Sequence, residues 1–392
     1  MRPDMNNSKR HELLDKITLL LKAKDLHALR GVLIEMHPAD IAEIIPRLEP
    51  AGQKRLLKLL SLKKGSEVVA ELDDSEREHI LASFSNSELA NILKQVDSDD
   101  AADMLDELRE ERARTVLNLL PPLEFGELRS LLLYDEESAG GIMALELVAV
   151  PENFTTGETL SRLRKEGEHI EDIYNIYVVD DNNHLRGFIP LRDIVIAKTD
   201  VRLSEIMDTE LVTINPELDR EEVAYMFQKY DFVSAPVVDR DGRLLGRITI
   251  DDIIDVIEEE TSEDMALMAG IADETIGHLP FYRNSFVRLP WLLIAFAGEM
   301  ISAAVMKYFM GEQDPFITAT IFVPLIMAMG GNVGIQSSTV AIRGLATGDF
   351  SLRDTGSHLL NELGTAIINS LVIFVLLIGV TALWLDKINF GI

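Results

Sequence analysis

Two stretches decide how this chain folds. The first is Ile176-Tyr-Val-Val-Asp-Asp-Asn-Asn-His-Leu-Arg-Gly-Phe-Ile-Pro-Leu-Arg-Asp193. The second is Ala235-Pro-Val-Val-Asp-Arg-Asp-Gly-Arg-Leu-Leu-Gly-Arg-Ile-Thr-Ile-Asp-Asp252. They align at a constant offset of 59, from Asp180/Asp239 through Gly187/Gly246 to Asp193/Asp252. In each, a β-branched run meets a polar insert and then a second apolar run, which is hairpin chemistry. A helical pattern follows. Further upstream, Gly141-Ile-Met143 parallels Glu205-Ile-Met207. Residues 136–260 therefore read as an internally duplicated α/β pair.

On the N-terminal side, residues 1–135 carry a different repeat. Asp40-Ile-Ala-Glu-Ile-Ile-Pro-Arg-Leu48, Glu88-Leu-Ala-Asn-Ile-Leu-Lys-Gln-Val96 and Asp100-Ala-Ala-Asp-Met-Leu-Asp-Glu-Leu108 resemble one another. Their apolar residues recur three and four apart, the spacing of one helix face. Asp or Ser at or just before each run suits an N-cap. Short polar connections suggest a stacked helical array.

On the C-terminal side the chain turns apolar. Trp291–Phe309, Phe316–Ala346 and Leu359–Leu385 each approach or exceed the roughly 20 apolar residues that span a bilayer. This explains an otherwise odd composition. The 392 residues carry a net charge of −29 yet have a mean hydropathy of +0.11. From Arg288 onward there are five basic and seven acidic residues, which leaves −27 for residues 1–287. An acidic water-facing body thus precedes a nearly neutral membrane part. The charge argues against nucleic-acid binding, which needs a basic footprint, and favours cationic partners. The absence of cysteine excludes disulfides, thiol catalysis and cysteine-ligated zinc. The polar, helical N-terminus has no signal-peptide pattern. Arg283 and Arg288 flank the first span, Arg343 and Arg353 separate the second from the third, and the intervening GEQDP loop is acidic. The positive-inside rule then puts the N-terminal body in the cytoplasm.

Two sets of residues carry candidate chemistry. Asp251, Asp255, Glu258 and Glu259 lie three to four apart on a helix face that continues to Glu263. Asp97, Asp99, Asp100, Asp103 and Asp106 form a second acidic group. If the two faces meet, a divalent cation would bridge them and its loss would let repulsion part them; a solvated acidic surface is the plainer alternative. In the membrane part, the second span is polar in its middle. Asn332, Gln336 and Ser337 offer oxygen ligands, Gly330, Gly331 and Gly334 allow close backbone approach or local unwinding, and Pro324 can kink the helix. A glycine and serine packing seam fits the same pattern. Glu299 and Glu362 lie at membrane depth or its edge, where carboxylates are functional candidates. Asn369, two turns beyond Glu362, can share its face.

These residues resemble a known family. The duplicated VVD-x-x-x-x-L-x-G-x-I-x-x-x-D unit looks like a tandem CBS pair. The run from Pro324 through Met-Gly-Gly-Asn332-Val-Gly-Ile-Gln336-Ser to Arg343-Gly-Leu-Ala346 is similar to the signature of the MgtE magnesium transporter family. The resemblance implies a multidomain membrane protein. Its parts are an all-α helical N domain (1–135), an α/β tandem CBS pair (136–260), a connecting helix (261–287, its core at Ile271–Val287) and an α-helical transmembrane domain (288–392).

By that resemblance Mg²⁺ is both cargo and regulator. The protein would be a homodimeric channel or transporter, multi-pass in the inner (plasma) membrane. Its carboxylates at 97, 100, 103, 251, 255, 258, 259 and 263 would sense cytosolic Mg²⁺. Residues Pro324, Gly330, Gly331, Asn332, Gly334, Gln336, Ser337, Glu362 and Asn369 would line the pore. Thr249 and Asp252 resemble the CBS nucleotide motif, which implies ATP at the second repeat. The first repeat has Pro190 in place of Thr249, and an ordinary capped strand-to-helix turn explains the pair equally well. The family has five spans against three here, so the chain reads as a C-terminally truncated member. The competing reading is a membrane-tethered Mg²⁺ and nucleotide sensor that does not conduct. Nothing suggests an enzyme: there is no P-loop, no HExxH motif, and the histidines are scattered.

Overall fold

The computed structural model describes residues 7–167, 170, 172–271, 280–310, 320–346 and 355–385. These residues divide into two units, Met1–Val256 and Ile257–Ile392.

The first unit opens with ten short helices: α1 (Asn7–Ala23), α2 (Leu26–Glu35), α3 (Pro38–Ala42), α4 (Pro50–Leu57), α5 (Leu62–Ala70), α6 (Asp74–Ser83), α7 (Asn86–Leu93), α8 (Ser98–Asp106), α9 (Glu110–Leu117) and α10 (Pro122–Leu131). Polar caps keep several of them short. The Asp25 carboxylate accepts from Ala28 N–H, Ser61 Oγ accepts from Lys64 N–H, and Ser85 with Glu88 forms a reciprocal capping box. Helices α3, α5, α7 and α9 stack in one row, and α4, α6, α8 and α10 in another. The expected apolar faces are the buried ones: Ile41, Leu89, Ile92, Leu93, Ala101, Met104 and Leu105. Pro46 alters the first repeat, because α3 ends at Ala42 and Ile45–Arg47 forms a 3₁₀ turn.

The duplicated segment follows as β1 (Ala149–Pro151), α11 (Thr156–Glu166), β2 (Asn175–Val179), β3 (Leu185–Pro190), α12 (Leu191–Ile196), α13 (Leu203–Ile206), α14 (Arg220–Tyr230), β4 (Ser234–Val238), β5 (Leu244–Thr249) and α15 (Ile250–Met268). Strand β2 pairs antiparallel with β3 and parallel with β1, and β4 pairs antiparallel with β5. The repeats match in register. Val178 faces Gly187 as Val237 faces Gly246, and each hairpin slips at the next residue. The turns match too. Asp180 accepts from the N–H groups of Asn182 and His184, and Asp239 from those of Asp241 and Arg243. Asn183 and Gly242 occupy the corresponding left-handed position, at φ 64° and 83°.

The leading segments are exchanged between the halves. Met143 lies over Gly246 of the second repeat, where an added Cβ would come within 2.7 Å of the Ala144 carbonyl oxygen. Met207 lies over Gly187 of the first, where a Cβ would sit 2.7 Å from the Asp208 oxygen. Ala144 and Arg247 exchange backbone hydrogen bonds at 2.9 Å, as Phe188 and Asp208 do. The core of the helical array runs on into the half built from Ile214, Val223, Phe227, Ala235, Val237 and Ile248.

The second unit contains the rest of α15 and three long helices, α16 (Phe281–Met310), α17 (Val323–Ala346) and α18 (Thr355–Leu385). All three are long and apolar enough to cross a membrane. Helix α15 stops at Gly270, whose φ is +69° and whose missing Cβ leaves room for the Trp291 ring. Ala266, Ala269 and Ile271 then pack against Val287 and Val340. Of the expected connecting helix at 261–287, residues 261–268 belong to α15, residues 272–279 lie outside the described residues, and Phe281–Val287 open α16. The continuous helix leaving the duplicated segment is α15 itself.

Replacing Gly246 by Val should destabilise the chain, because its side chain would meet the Ala144 carbonyl and Met143. A loss of about 1–3 kcal/mol is expected, read as a lower thermal midpoint. The same change at Gly126, where a Cβ meets nothing within 4 Å, should cost less, as the ordinary helix propensities of Gly and Val predict.

Candidate functional site: an acidic sensor face and a polar membrane seam

The acidic face is built by a clasp between α8 and the extended segment Ala144–Glu146 that follows the helical array. Ser98 Oγ–H donates to Glu146 Oε2 at 2.7 Å, and Ser98 N–H donates to the same oxygen at 3.1 Å. Leu145 N–H donates to Ser98 Oγ at 2.8 Å. One residue earlier, Ala144 is bonded to Arg247 in β5. This short chain of contacts seats the N-terminus of α8 beside the N-terminus of α15. Both first turns are acidic, with Asp99 and Asp100 in α8 and Asp251 and Asp252 in α15. Helix dipoles favour carboxylates there. Their mutual approach does not.

The electrostatics record that conflict. Burial, then Asp252 and the neighbouring Asp100 and Asp97, hold the Asp99 carboxyl well above the usual range. Burial with the repulsion of Asp252 and Asp97 pushes Asp100 up to about 7. Burial pushes Asp103 up to about 7 as well, against the pull of Arg77. Burial also raises Asp252, although Thr249 N–H and Oγ–H both donate to its Oδ2, at 3.1 and 2.7 Å. Arg77 is held by Glu107 and Asp74, at 2.6 Å each.

The expected sensor residues are therefore only partly brought together. Asp97, Asp99 and Asp100 lie at the joint, and Asp103 sits beside Asp100 and Arg77. From α15 the partner is Asp252, which the sequence reading gave to a nucleotide. Asp251 and Asp255 are exposed on α15. Glu258 and Glu259 are exposed and Glu263 is half-buried on the part of α15 that belongs to the second unit. Among the described residues, no three His, Asp or Glu side chains close into a ready-made metal cage. The face suits a cation that keeps its waters, as Mg²⁺ does. The signal for Asp252 was in the sequence: Thr249-x-x-Asp252 has capping-box spacing, which turns that carboxyl back toward β5.

In the second unit, the expected pore residues separate onto two faces. Pro324, Gly330, Gly331 and Gly334 are exposed along α17, and a Cβ on any of the three glycines would meet nothing within 4 Å. Asn332 and Ser337 are half-buried. Gln336 and Asn369 are buried, each 1% exposed. Helix α17 is continuous through its glycines, and Pro324 lies in its first turn, so Pro324 starts the helix where a kink was expected. The internal proline is Pro290 in α16.

Glu362 has a partner that the sequence reading missed. Arg288, itself 1% exposed, donates from Nη2 to Oε1 at 2.6 Å and from Nη1 to Oε2 at 2.8 Å. Its Nη1 also lies 3.4 Å from Ser337 Oγ on α17. Below this fork, Thr365 Oγ1–H donates to the Phe281 carbonyl and Ser285 Oγ–H to the Thr365 carbonyl. Removing one partner of such a buried pair costs about 3–5 kcal/mol. Both polar atoms of the Gln336 and Asn369 amides have no protein partner, nor does Asn284 Oδ1.

Comparison with known proteins places these features in a family. Residues 36–137 match the MgtE intracellular N domain, 139–200 and 203–259 each match a CBS domain, and 323–392 match the MgtE divalent cation transporter domain. The magnesium transporter MgtE of Thermus thermophilus is 37% identical over 364 residues, covering 92% of this chain and 81% of that protein. The Bacillus subtilis magnesium transporter MgtE is 28% identical over 373 residues, covering 95% and 83%. A crystal structure of the cytosolic domain of the Mg²⁺ channel MgtE in complex with ATP covers 62% of this chain and 99% of its own, at 37% identity and a TM-score of 0.60. The soluble part of a magnesium transporter gives the same TM-score at 32% identity, covering 64% and 99%. With the helical N domain, the CBS pair and the three membrane-length helices in this order, the chain belongs to the MgtE family of divalent cation transporters.

Proposed function

We propose that this chain moves Mg²⁺ across the cell's inner (plasma) membrane and that its acidic face reports the cytosolic Mg²⁺ level. The observation that carries the sensor is the apposition of Asp97, Asp99 and Asp100 with Asp252. Like charges at two helix N-termini favour separation, and a hydrated divalent cation neutralises them and favours closure. A ligand shifts such an equilibrium only by its differential affinity for the two states. Here that difference is built in, because the cation site exists only while the helical array and the CBS pair touch. Asp251, Asp255, Glu258, Glu259 and Glu263 would add further cation-binding carboxylates along α15. Closure would then be passed along that one continuous helix.

The exposed glycine face of α17 supports a homodimer in which two copies of this face, with Pro324 and Asn332, line the ion path. ATP would use Thr249 and Asp252 in the second CBS repeat. That reading is supported by the ATP complex of the related cytosolic domain. It requires the Thr249–Asp252 hydrogen bonds to open, which links nucleotide binding to the same carboxyl that faces Asp99 and Asp100.

Uptake of Mg²⁺ by liposomes holding the full chain tests transport directly. Uptake that is matched by empty liposomes would leave the chain as a non-conducting sensor. For the sensor, limited proteolysis with and without Mg²⁺ is decisive. Wild-type protein should be cut more slowly in Mg²⁺, and the D99N/D100N/D252N variant should be cut at one rate in both conditions. Protection that persists in this variant would move the sensor elsewhere.

The raised carboxyls also set a pH dependence. A carboxyl that holds its proton more tightly in the folded state stabilises the fold below its unfolded pKa. That contribution is lost as pH climbs through the folded value, about 7 for Asp100 and Asp103. In chelator the thermal midpoint should therefore fall between about pH 4 and 7. Saturating Mg²⁺ or Asp100→Asn should flatten the slope.

A further inference from the structure

The Arg288–Glu362 fork joins α16 to α18. Its geometry asks what a buried cation does inside a cation transporter. Both carboxylate oxygens of Glu362 are occupied, at 2.6 and 2.8 Å, by a guanidinium that is 1% exposed. Ser337 Oγ approaches the same guanidinium from α17. A carboxylate and a hydroxyl held at one guanidinium are hard oxygen donors of the kind Mg²⁺ accepts, and one or two carboxylates with retained waters suffice.

We propose that Arg288 is a tethered cation that masks a latent divalent-cation site formed by Glu362 and Ser337. It acts through Glu362, as a positioning residue. With the guanidinium in place the pair is neutral, and an arriving divalent ion meets a positive charge on the only carboxylate of the seam among the described residues. The ion is therefore not captured there. The Ser285–Thr365 and Thr365–Phe281 hydrogen bonds hold α16 and α18 together one turn away, so the fork keeps its geometry. Glu362, expected from the sequence as a pore ligand, is thereby withdrawn from the ion path in this conformation. The inference rests on the Mg²⁺ transport reading only for the identity of the passing ion. Its test is a binding count that needs no conduction, so the two can fail separately.

The test uses the full chain in detergent micelles, with Mn²⁺ as the probe and paramagnetic resonance to separate bound from free ion. Sensor carboxylates contribute to every sample, so the wild-type count is the baseline. Arg288→Met should gain one Mn²⁺ per chain, displaced by Mg²⁺. Arg288→Lys and the double variant R288M/E362Q should match wild type. A folded Arg288→Met with the wild-type count would overturn the proposal, as would a gain that survives in the double variant. Where Arg288→Met is poorly folded without metal, thermal melting gives the second reading. A midpoint that rises with Mn²⁺ in Arg288→Met beyond the rise in R288M/E362Q supports the masked site. Equal rises in the two, or no folding in Mn²⁺ while R288M/E362Q folds, would sink it.

Discussion

Carboxylates brought together at the start of two helices govern how the soluble part of this protein behaves. The Ser98–Glu146–Leu145 clasp fixes where α8 begins, and the Ala144–Arg247 bonds fix that segment against the strand leading into α15. Once both are set, Asp99 and Asp100 must face Asp252, and the chain cannot relax by rotating one helix alone. A proton or a divalent cation can resolve the repulsion. Without either, the contact between the helical array and the CBS pair works against itself. A strong negative charge spread over a surface would only keep the protein soluble. Placed at this joint, it makes the joint conditional.

The membrane unit solves the opposite problem. In its interior, charge must be matched, and the Arg288–Glu362 fork does so across two helices while Ser337 joins from a third. The same unit also buries the neutral amides of Gln336, Asn369 and Asn284. On α17 the glycines Gly330, Gly331 and Gly334 are exposed while Gln336 is buried. Polarity and small size, mixed in one stretch of sequence, are thus sorted by the helix onto different sides.

Much of this was legible in the sequence because periodicity reports local structure. The offset of 59 forecast matched hairpins, and the structure gives both the same register and the same left-handed turn residue. The three apolar runs became three long helices. What the structure adds to the reading is angular or long-range information. Asp251 and Asp252 differ by one position, about 100° around a helix. Spacing alone selected the face carrying Asp251 and Asp255, whereas the capping bonds to Thr249 turn Asp252 inward. The partner of Glu362 lies 74 residues away, and no periodicity links the two. Gly270 ends α15 through its backbone angle and its contact with Trp291, neither of which a hydropathy pattern records.

The crosswise seating of Met143 on Gly246 and Met207 on Gly187 has a consequence for ancestry. Neither repeat is complete by itself, since each lacks the segment that covers its own glycine. A solitary repeat would satisfy that need only by exchanging leading segments with an identical copy. The tandem therefore has the form of an intertwined pair whose two chains were later joined end to end. On that history the pseudo-twofold axis is older than the covalent link, and the transporter inherited a symmetric module already built around mutual dependence.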